Sequence, residues 1–310
     1  MRATPLPFPP PEGNPGDRPR QPRLFPAPVS TACRQPRGPR SQPLFSPAPF
    51  SPTPGNSTRD PQPRPTIPFP SLCYNPLQVK PPPEQQNPRL MRRMFSTIAP
   101  RYDFITRAFS YGMDKRWKRL GVERAGMPPS PVVLDLASGT GDFSTLVGGR
   151  DPGARAVAVD LTERMLRFAR ERGVERSVCG DAGALPFGDG SFDCVFVGYG
   201  LRNFPDLGRA VREIERVTRP GGILVSLDFF LPANPLFRRL YLGYLYAQGT
   251  FWGLVLHGRP RTYTYIPDSL RSFVSIDEFS SLLRRSGYRR VDARRYILGG
   301  IGLHWAAKES

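Results

Sequence analysis

The stretch VVLDLASGTGD, residues 132–142, decides the fold. Its first part, VVLDLA (132–137), is a continuous apolar run that ends in a glycine turn, the pattern of a parallel strand buried on both faces. A short helix is predicted from Asp142. Downstream the two periods alternate. RAVAVD (155–160) reads as a second strand, and LTERMLRFARER (161–172) as a helix with Thr162 placed to cap it. RSVCGD (176–181) and SFDCVFVG (191–198) read as strands three and four. Leu207, Val211, Ile214 and Val217 recur at helical spacing until Pro220-Gly221-Gly222 stops them, and GILVSLDFF (222–230) follows as strand five. A helix over SIDEFSSLLRRSGY ends at Gly287. RRVDARRYIL and IGLHWAAK then form a closing hairpin that adds an antiparallel strand to the sheet edge. Strands alternating with helices of this length predict a Rossmann-like α/β domain with a mostly parallel sheet.

The N-terminal third has a different composition. Of 39 prolines, 27 fall in residues 1–90. Proline removes a backbone donor and costs a helix interior roughly 3 kcal/mol, so no long regular element is expected there. With few aliphatic residues to bury, residues 1–90 read as a disordered Pro/Arg-rich extension and 91–310 as the folded domain. The extension is low-complexity sequence or reflects initiation at Met91 or Met94, with a transit peptide as the alternative. The formal charge is +18. It is spread along the chain without a Lys/Arg block interleaved with aromatics, so no nucleic acid is expected as partner. Four cysteines lack any zinc-binding spacing; no metal is expected, and a reducing, cytoplasmic setting fits. The longest uncharged stretch, LYLGYLYAQGTFWGLVL (240–256), is shorter than the ~20 apolar residues of a membrane span.

In such sheets ligands bind at the carboxyl ends of the strands. Strand one ends in Asp135, followed by a loop in which Gly139 and Gly141 allow a sharp turn and close approach to a ligand. Asp160 ends strand two, where a carboxylate can accept from both hydroxyls of a ribose. Asp181-Ala182 ends strand three, where an adenine would lie. Each aspartate alone is also an ordinary cap or turn residue; three at successive strand ends are harder to assign to capping. Asp135 and Asp142 would repel the pyrophosphate of a dinucleotide, and Ser144 stands where that fingerprint has its third glycine. S-adenosylmethionine, with a sulfonium, an ammonium and one carboxylate, suits acids and loop amides together.

The segments MFSTIAPRYDFITRAFSYGMDKRWKRL (94–120), VLDLASGTGD (133–142), GDAGALPFGDGSFD (180–193), GYGLRNFPD (198–206), RTYTYIPDSLRSF (261–273) and GGIGLHWAAK (299–308) together resemble the ubiquinone/menaquinone biosynthesis C-methyltransferase family. The match covers nearly all of 91–310, and the PRYD and GLRN segments are its most specific parts. The resemblance implies a class I methyltransferase that uses S-adenosyl-L-methionine to methylate a ring carbon of a prenylated quinol, with demethylmenaquinol to menaquinol as the leading reaction. The ubiquinone-pathway benzoquinol, another small molecule or RNA are the alternatives. Carried over by position, the cofactor contacts are Thr140, Asp160, Asp181 and Ala182. Two positions depart from the pattern: Gly198, where the family often has serine, and Ala137, where methyltransferases in general have glycine.

On that chemistry a quinol loses a hydroxyl proton and its ring carbon attacks the sulfonium methyl. The segment after strand four lacks the Asn/Asp-Pro-Pro-aromatic sequence of amide and amine methylation. Its Arg202 is expected to stabilise a developing phenolate and its Asn203 to hold a quinol oxygen, against the plainer readings of a buried ion pair and a helix cap. Tyr102 and Asp103 are expected to close over the cofactor as a lid; a packing aromatic and a capping acid are the alternative. His304 is a candidate base but more naturally a structural strand residue. The region 236–258 is expected to form either a peripheral membrane contact for the prenyl tail, at the inner face of the membrane, or ordinary buried helix.

Overall fold

The computed structural model describes residues 87–310. The expectations for the Pro/Arg-rich extension lie outside them, apart from its last four residues. Asn87 caps α1 (Pro88–Ile98) by accepting from the Arg89 N–H, so Met91 already lies inside that helix, with its side chain buried. α2 (Tyr102–Phe109) and α3 (Asp114–Glu123) follow, and then the alternating part begins.

Its strands are β1 (Val132–Leu136), β2 (Arg155–Asp160), β3 (Arg176–Cys179), β4 (Phe192–Gly198) and β5 (Thr218–Phe229). The helices between them are α4 (Asp142–Arg150), α5 (Glu163–Glu171) and α6 (Leu207–Val217). Then come α7 (Pro235–His257), α8 (Tyr265–Arg271), α9 (Ile276–Arg285), β6 (Tyr288–Tyr296) and β7 (Ile301–Lys308). The seven strands are ordered β3-β2-β1-β4-β5-β7-β6. The first five are mutually parallel, and β7 runs antiparallel to both of its neighbours. Every residue of β1 is buried, which is why it reads as one apolar run rather than an alternation. From β1 the chain fills the sheet towards β3, then returns to β1's other side with β4. The carboxyl ends of β1 and β4 therefore flank the switch point where such sheets bind ligands.

Two local expectations are corrected. Strand five begins at Thr218 rather than Gly222: Thr218 pairs with Phe192 and Ile223 with Cys194, so Arg219 to Gly222 bulge out between them. A proline has no ladder donor to lose at a bulge. The closing hairpin, as expected, adds antiparallel strands to the sheet edge beyond β5. β7 inserts beside β5 and leaves β6 outermost, because IGLHWAAK is apolar on both faces while β6 carries arginines. Trp305 of β7 donates from Nε1 to the Gly121 carbonyl at 3.1 Å and ties α3 to the sheet. Finally, Thr162 occupies the N-cap of α5 but makes no side-chain cap bond; its backbone N–H donates to the Asp160 carboxylate.

His304 is fully buried on β7, its ring packed against Phe230 and Phe279. Desolvation pushes its pKa down to about 4. It lies in the core behind the sheet's ligand edge, a structural position and not that of a base. Between pH 6.5 and 4 the unfolded chain binds this proton and the folded one does not, so stability is full above that window and falls as pH drops through it. The stability difference between wild type and His304→Leu should change by about 3 kcal/mol between pH 7 and pH 4. Urea unfolding at the two pH values measures it; a constant difference would mean that the ring is protonated inside the fold.

Candidate active site

A cleft with about 760 Å³ of empty space, its mouth included, lies at the switch point. Its walls are Leu136, Ala137 and Gly139 after β1, Asp160 to Thr162 after β2, Gly180 to Ala182 after β3, and Tyr199, Gly200 and Asn203 after β4. Met91 and Phe95 of α1 and Tyr102 of α2 close it from above. The walls are mostly apolar with a few directed polar groups, the usual make-up of a small-molecule site.

Of the residues named from sequence, Gly139, Asp160, Asp181, Ala182, Tyr102 and Asn203 meet in this cleft. Asp160 accepts from the Gly139 N–H at 3.0 Å and the Thr162 N–H at 2.8 Å, one on each carboxylate oxygen. Burial raises its pKa, and those two backbone donors oppose the rise. Each oxygen keeps acceptor capacity beyond the one N–H it takes. Gly139 has a left-handed φ of +54°, and a Cβ there would lie 3.2 Å from the Tyr102 ring, so the glycine is what lets Tyr102 rest on the loop.

The other named residues stand behind this surface. Asp135 is buried under the loop and accepts from the Ser144 N–H and hydroxyl, both at 2.8 Å; burial pushes its pKa up to about 7. Ser144, read only as a missing glycine, is thus the group that holds Asp135. Gly141 starts α4 and packs on Val174 and Ala169, away from the cleft. The Thr140 hydroxyl donates to Asp103 at 2.7 Å and accepts from Arg172 at 2.9 Å. Asp142 is not a bare acid, since Lys118 (2.5 Å) and Arg172 (2.7 Å) both pair with it. Loop amides expected to face a ligand are partly used within the protein: Ser138 donates to Val159, Gly139 to Asp160 and Gly141 to Ser138.

Asp103 binds both Thr140 and Arg172, and Arg164 donates to the Ser96 carbonyl. These contacts fasten the segment carrying Tyr102 across α5 and the glycine loop, in the position of the expected lid.

Arg202 is buried and forms an ion pair with Asp228 at 2.6 Å, with its guanidinium 4.9 Å from the centre of the Phe229 ring. Asp228 also accepts from the Leu201 and Phe229 N–H groups. Burial raises the pKa of the Tyr265 hydroxyl, and the nearby Arg202 charge opposes the rise. Burial raises the Tyr102 hydroxyl far above its ordinary pKa, with nearby Tyr265 adding to the rise and the Arg202 charge opposing it. Asn203 donates to the Tyr199 carbonyl, while its Oδ1 is buried without a partner. Asp206, not Asn203, caps α6. Tyr199, Tyr265 and Asp228 escaped the sequence reading as site residues; the one legible hint was an aspartate in the otherwise apolar run of β5.

Ala137 and Tyr199, on facing strand ends, both adopt left-handed backbone angles (φ +51° and +58°). Such angles cost an L-residue roughly 1–2 kcal/mol and gather at functional sites. A Cβ on Gly200 would lie 2.5 Å from the Ala137 Cβ, so the alanine at the first position demands glycine at the second. Gly200→Ala should destabilise the fold by about 1–3 kcal/mol, and adding Ala137→Gly should restore most of it. Denaturant unfolding of the four proteins in that cycle checks this; simple additivity would mean the two loops do not press on each other. A Cβ on Gly198 would lie 3.0 Å from the Phe143 ring, so a larger residue there would need that ring to move.

S-adenosylmethionine fits this cleft. Asp160 would offer acceptors to a ribose, and Leu161, Met165, Asp181 and Ala182 would give an adenine an apolar seat with an acidic edge. The Ser138 hydroxyl is buried with no partner in the same loop.

Residues 84–308 match the ubiE/COQ5 methyltransferase family. The ubiquinone/menaquinone biosynthesis C-methyltransferase UbiE of Desulfotalea psychrophila is 37% identical over 228 residues, spanning 70% of this chain and 90% of that protein. The demethylmenaquinone methyltransferase of Thermus thermophilus is 40% identical over 200 residues, spanning 63% and 91%. Among solved structures, the methyltransferase–Trm112 activator complex of Haloferax volcanii is similar in fold, with a TM-score of 0.52 at 18% identity, covering 70% of this chain and 98% of that one. With its sheet order, its cleft at the switch point and a family match over 84–308, the chain belongs to the ubiE/COQ5 methyltransferase family, and its cofactor is S-adenosylmethionine.

Proposed function

We propose that this protein methylates a ring carbon of a prenylated quinol, converting demethylmenaquinol to menaquinol. The relatives' names support methylation of a quinone ring carbon in general. The observation that carries the acceptor class is the buried, unpartnered Oδ1 of Asn203 in a mostly apolar cleft. An acceptor-only atom held there suits a hydroxyl donor on an otherwise apolar ring. An amine acceptor would require the aromatic and proline arrangement that the Tyr199–Asn203 segment lacks. The region 236–258 suits work at the cytoplasmic face of a membrane that stores the substrate.

The bound cofactor supplies an electrophilic methyl group on a positively charged sulfur. The ring carbon that takes the methyl gives up its hydrogen as a proton, so the aromatic quinol is restored and one proton is released. Asp160 would receive the ribose hydroxyls, and Asp181 and Ala182 would hold the adenine. Asn203 takes the hydrogen bond of a quinol hydroxyl and fixes which ring carbon faces the methyl. The Arg202 charge, held beside Tyr102 and Tyr265, favours the phenolate that makes this carbon nucleophilic. Asp228 keeps that guanidinium in place. Met91, Phe95 and Tyr102 exclude water once the lid segment is fastened.

The test is an assay of the full chain with methyl-labelled cofactor and reduced demethylmenaquinone, read by mass spectrometry. Label in menaquinone is the expected result. Label only in a demethylated ubiquinone-pathway benzoquinol would move the protein to the other branch. Label in neither, with cofactor bound, would reject the quinol reading.

A further inference from the structure

Among the described residues no helix is long and apolar enough to cross a membrane. α7 nevertheless presents apolar residues on two opposite faces. One packs inward through Tyr241, Leu245, Gly249 and Gly253. The other is exposed and runs along Leu236, Leu240, Tyr244, Phe251, Leu254 and Val255. At about 100° per residue these six positions fall within one sector roughly 100° wide, so they share one face of a helix of 23 residues, about 34 Å long. A helix apolar on both sides is ordinarily buried all round.

Other elements widen the stripe. Phe104 of α2 is exposed, with its ring edge-on to Trp252 at 5.0 Å. Tyr111 stacks on Tyr244 at 5.8 Å. Charge selects the occupant. α7 contains no Asp or Glu; Arg238 and Arg239 lie near its start, and Arg259 and Arg261 just beyond its end. Arg101 and Arg259 both act on His257 in the last turn, so the basic residues gather around that end of the stripe.

We propose that the α2–α7 face is a docking surface that lays α7 flat on an anionic lipid bilayer. An apolar stripe bracketed by guanidiniums suits acyl chains beneath and acidic headgroups beside it. α2 links this face to the cleft: Tyr102 at its start lines the cleft, and Phe104, two residues on, belongs to the stripe. On the prenylated-quinol reading, on which only the purpose of the surface rests, the ring enters the cleft while the prenyl chain stays in the bilayer.

The test uses the full chain with vesicles of phosphatidylglycerol and phosphatidylcholine in equal parts. Wild type is expected to co-float with these and to bind pure phosphatidylcholine weakly. Leu240→Glu/Leu254→Glu, on exposed positions that touch neither core nor cleft, should lower binding by about tenfold or more. Its methylation of a soluble, unprenylated quinol should match wild type, and its methylation of vesicle-borne long-chain quinol should fall in step with binding. Equal flotation of the variant would overturn the proposal and leave the basic residues before position 87 as the binding element. A stable dimer that stays off vesicles, and that the double variant dissociates, would also overturn it and assign the stripe to a second copy. If wild type methylated no soluble quinol yet floated as expected, the reaction would be wrong and the surface would stand.

Discussion

Replacing Arg202 by alanine is expected to lower stability by about 3–5 kcal/mol and to cut turnover by a further margin that lost folding cannot explain. The first effect follows from burial. Asp228 has no solvent exposure and, among the described residues, pairs with Arg202 as its cation, so truncation leaves a core carboxylate with two N–H donors but no opposite charge. The second follows from the charge beside Tyr102 and Tyr265 at the cleft. The two can be separated. Arg202→Met/Asp228→Leu removes the pair together, and well-packed apolar replacements of a buried ion pair are often neutral for stability. That double variant should regain much of the fold and bind cofactor, yet stay slow, because the phenolate would form without a nearby cation. Urea unfolding, cofactor titration and kcat on the three proteins decide the matter. If the double variant turned over at the wild-type rate, Arg202 would be a purely structural residue.

Replacing Asp160 by alanine should weaken cofactor binding by about a hundredfold, or roughly 3 kcal/mol, the sum of two hydrogen bonds to a charged acceptor. Asp160→Asn keeps one carbonyl acceptor and the side-chain shape, so its loss should be smaller. The Gly139 and Thr162 N–H groups also end on Asp160, and part of the alanine effect will come from a looser loop. Thr140→Ala provides the contrast. Its hydroxyl is spent on Asp103 and Arg172, so the cofactor should feel that change only through the fastening of the lid segment. Isothermal titration with S-adenosylmethionine measures all three. Equal losses at Asp160 and Thr140 would mean that the cofactor contacts the loop from a different side.

The sequence by itself determined the alternating order of strands and helices, because a strand covered on both faces must be apolar throughout and its helices amphipathic. It also placed Asp160, Asp181 and Gly139 at the ligand edge, since strand ends can be counted along the chain. Tertiary structure decided what strand counting cannot reach. Asp135 lies behind the loop and Asp142 is paired with Lys118, 24 residues upstream, so neither acid faces a ligand as a free charge. Arg202 proved to be one half of a buried pair, because its partner sits on a neighbouring strand 26 residues away. The order of β6 and β7, and the gathering of Phe104 and Tyr111 against α7, have the same origin. Periodicity along a chain reports which face of an element is apolar, whereas only the packing of distant segments settles which of those faces are covered and which charges meet.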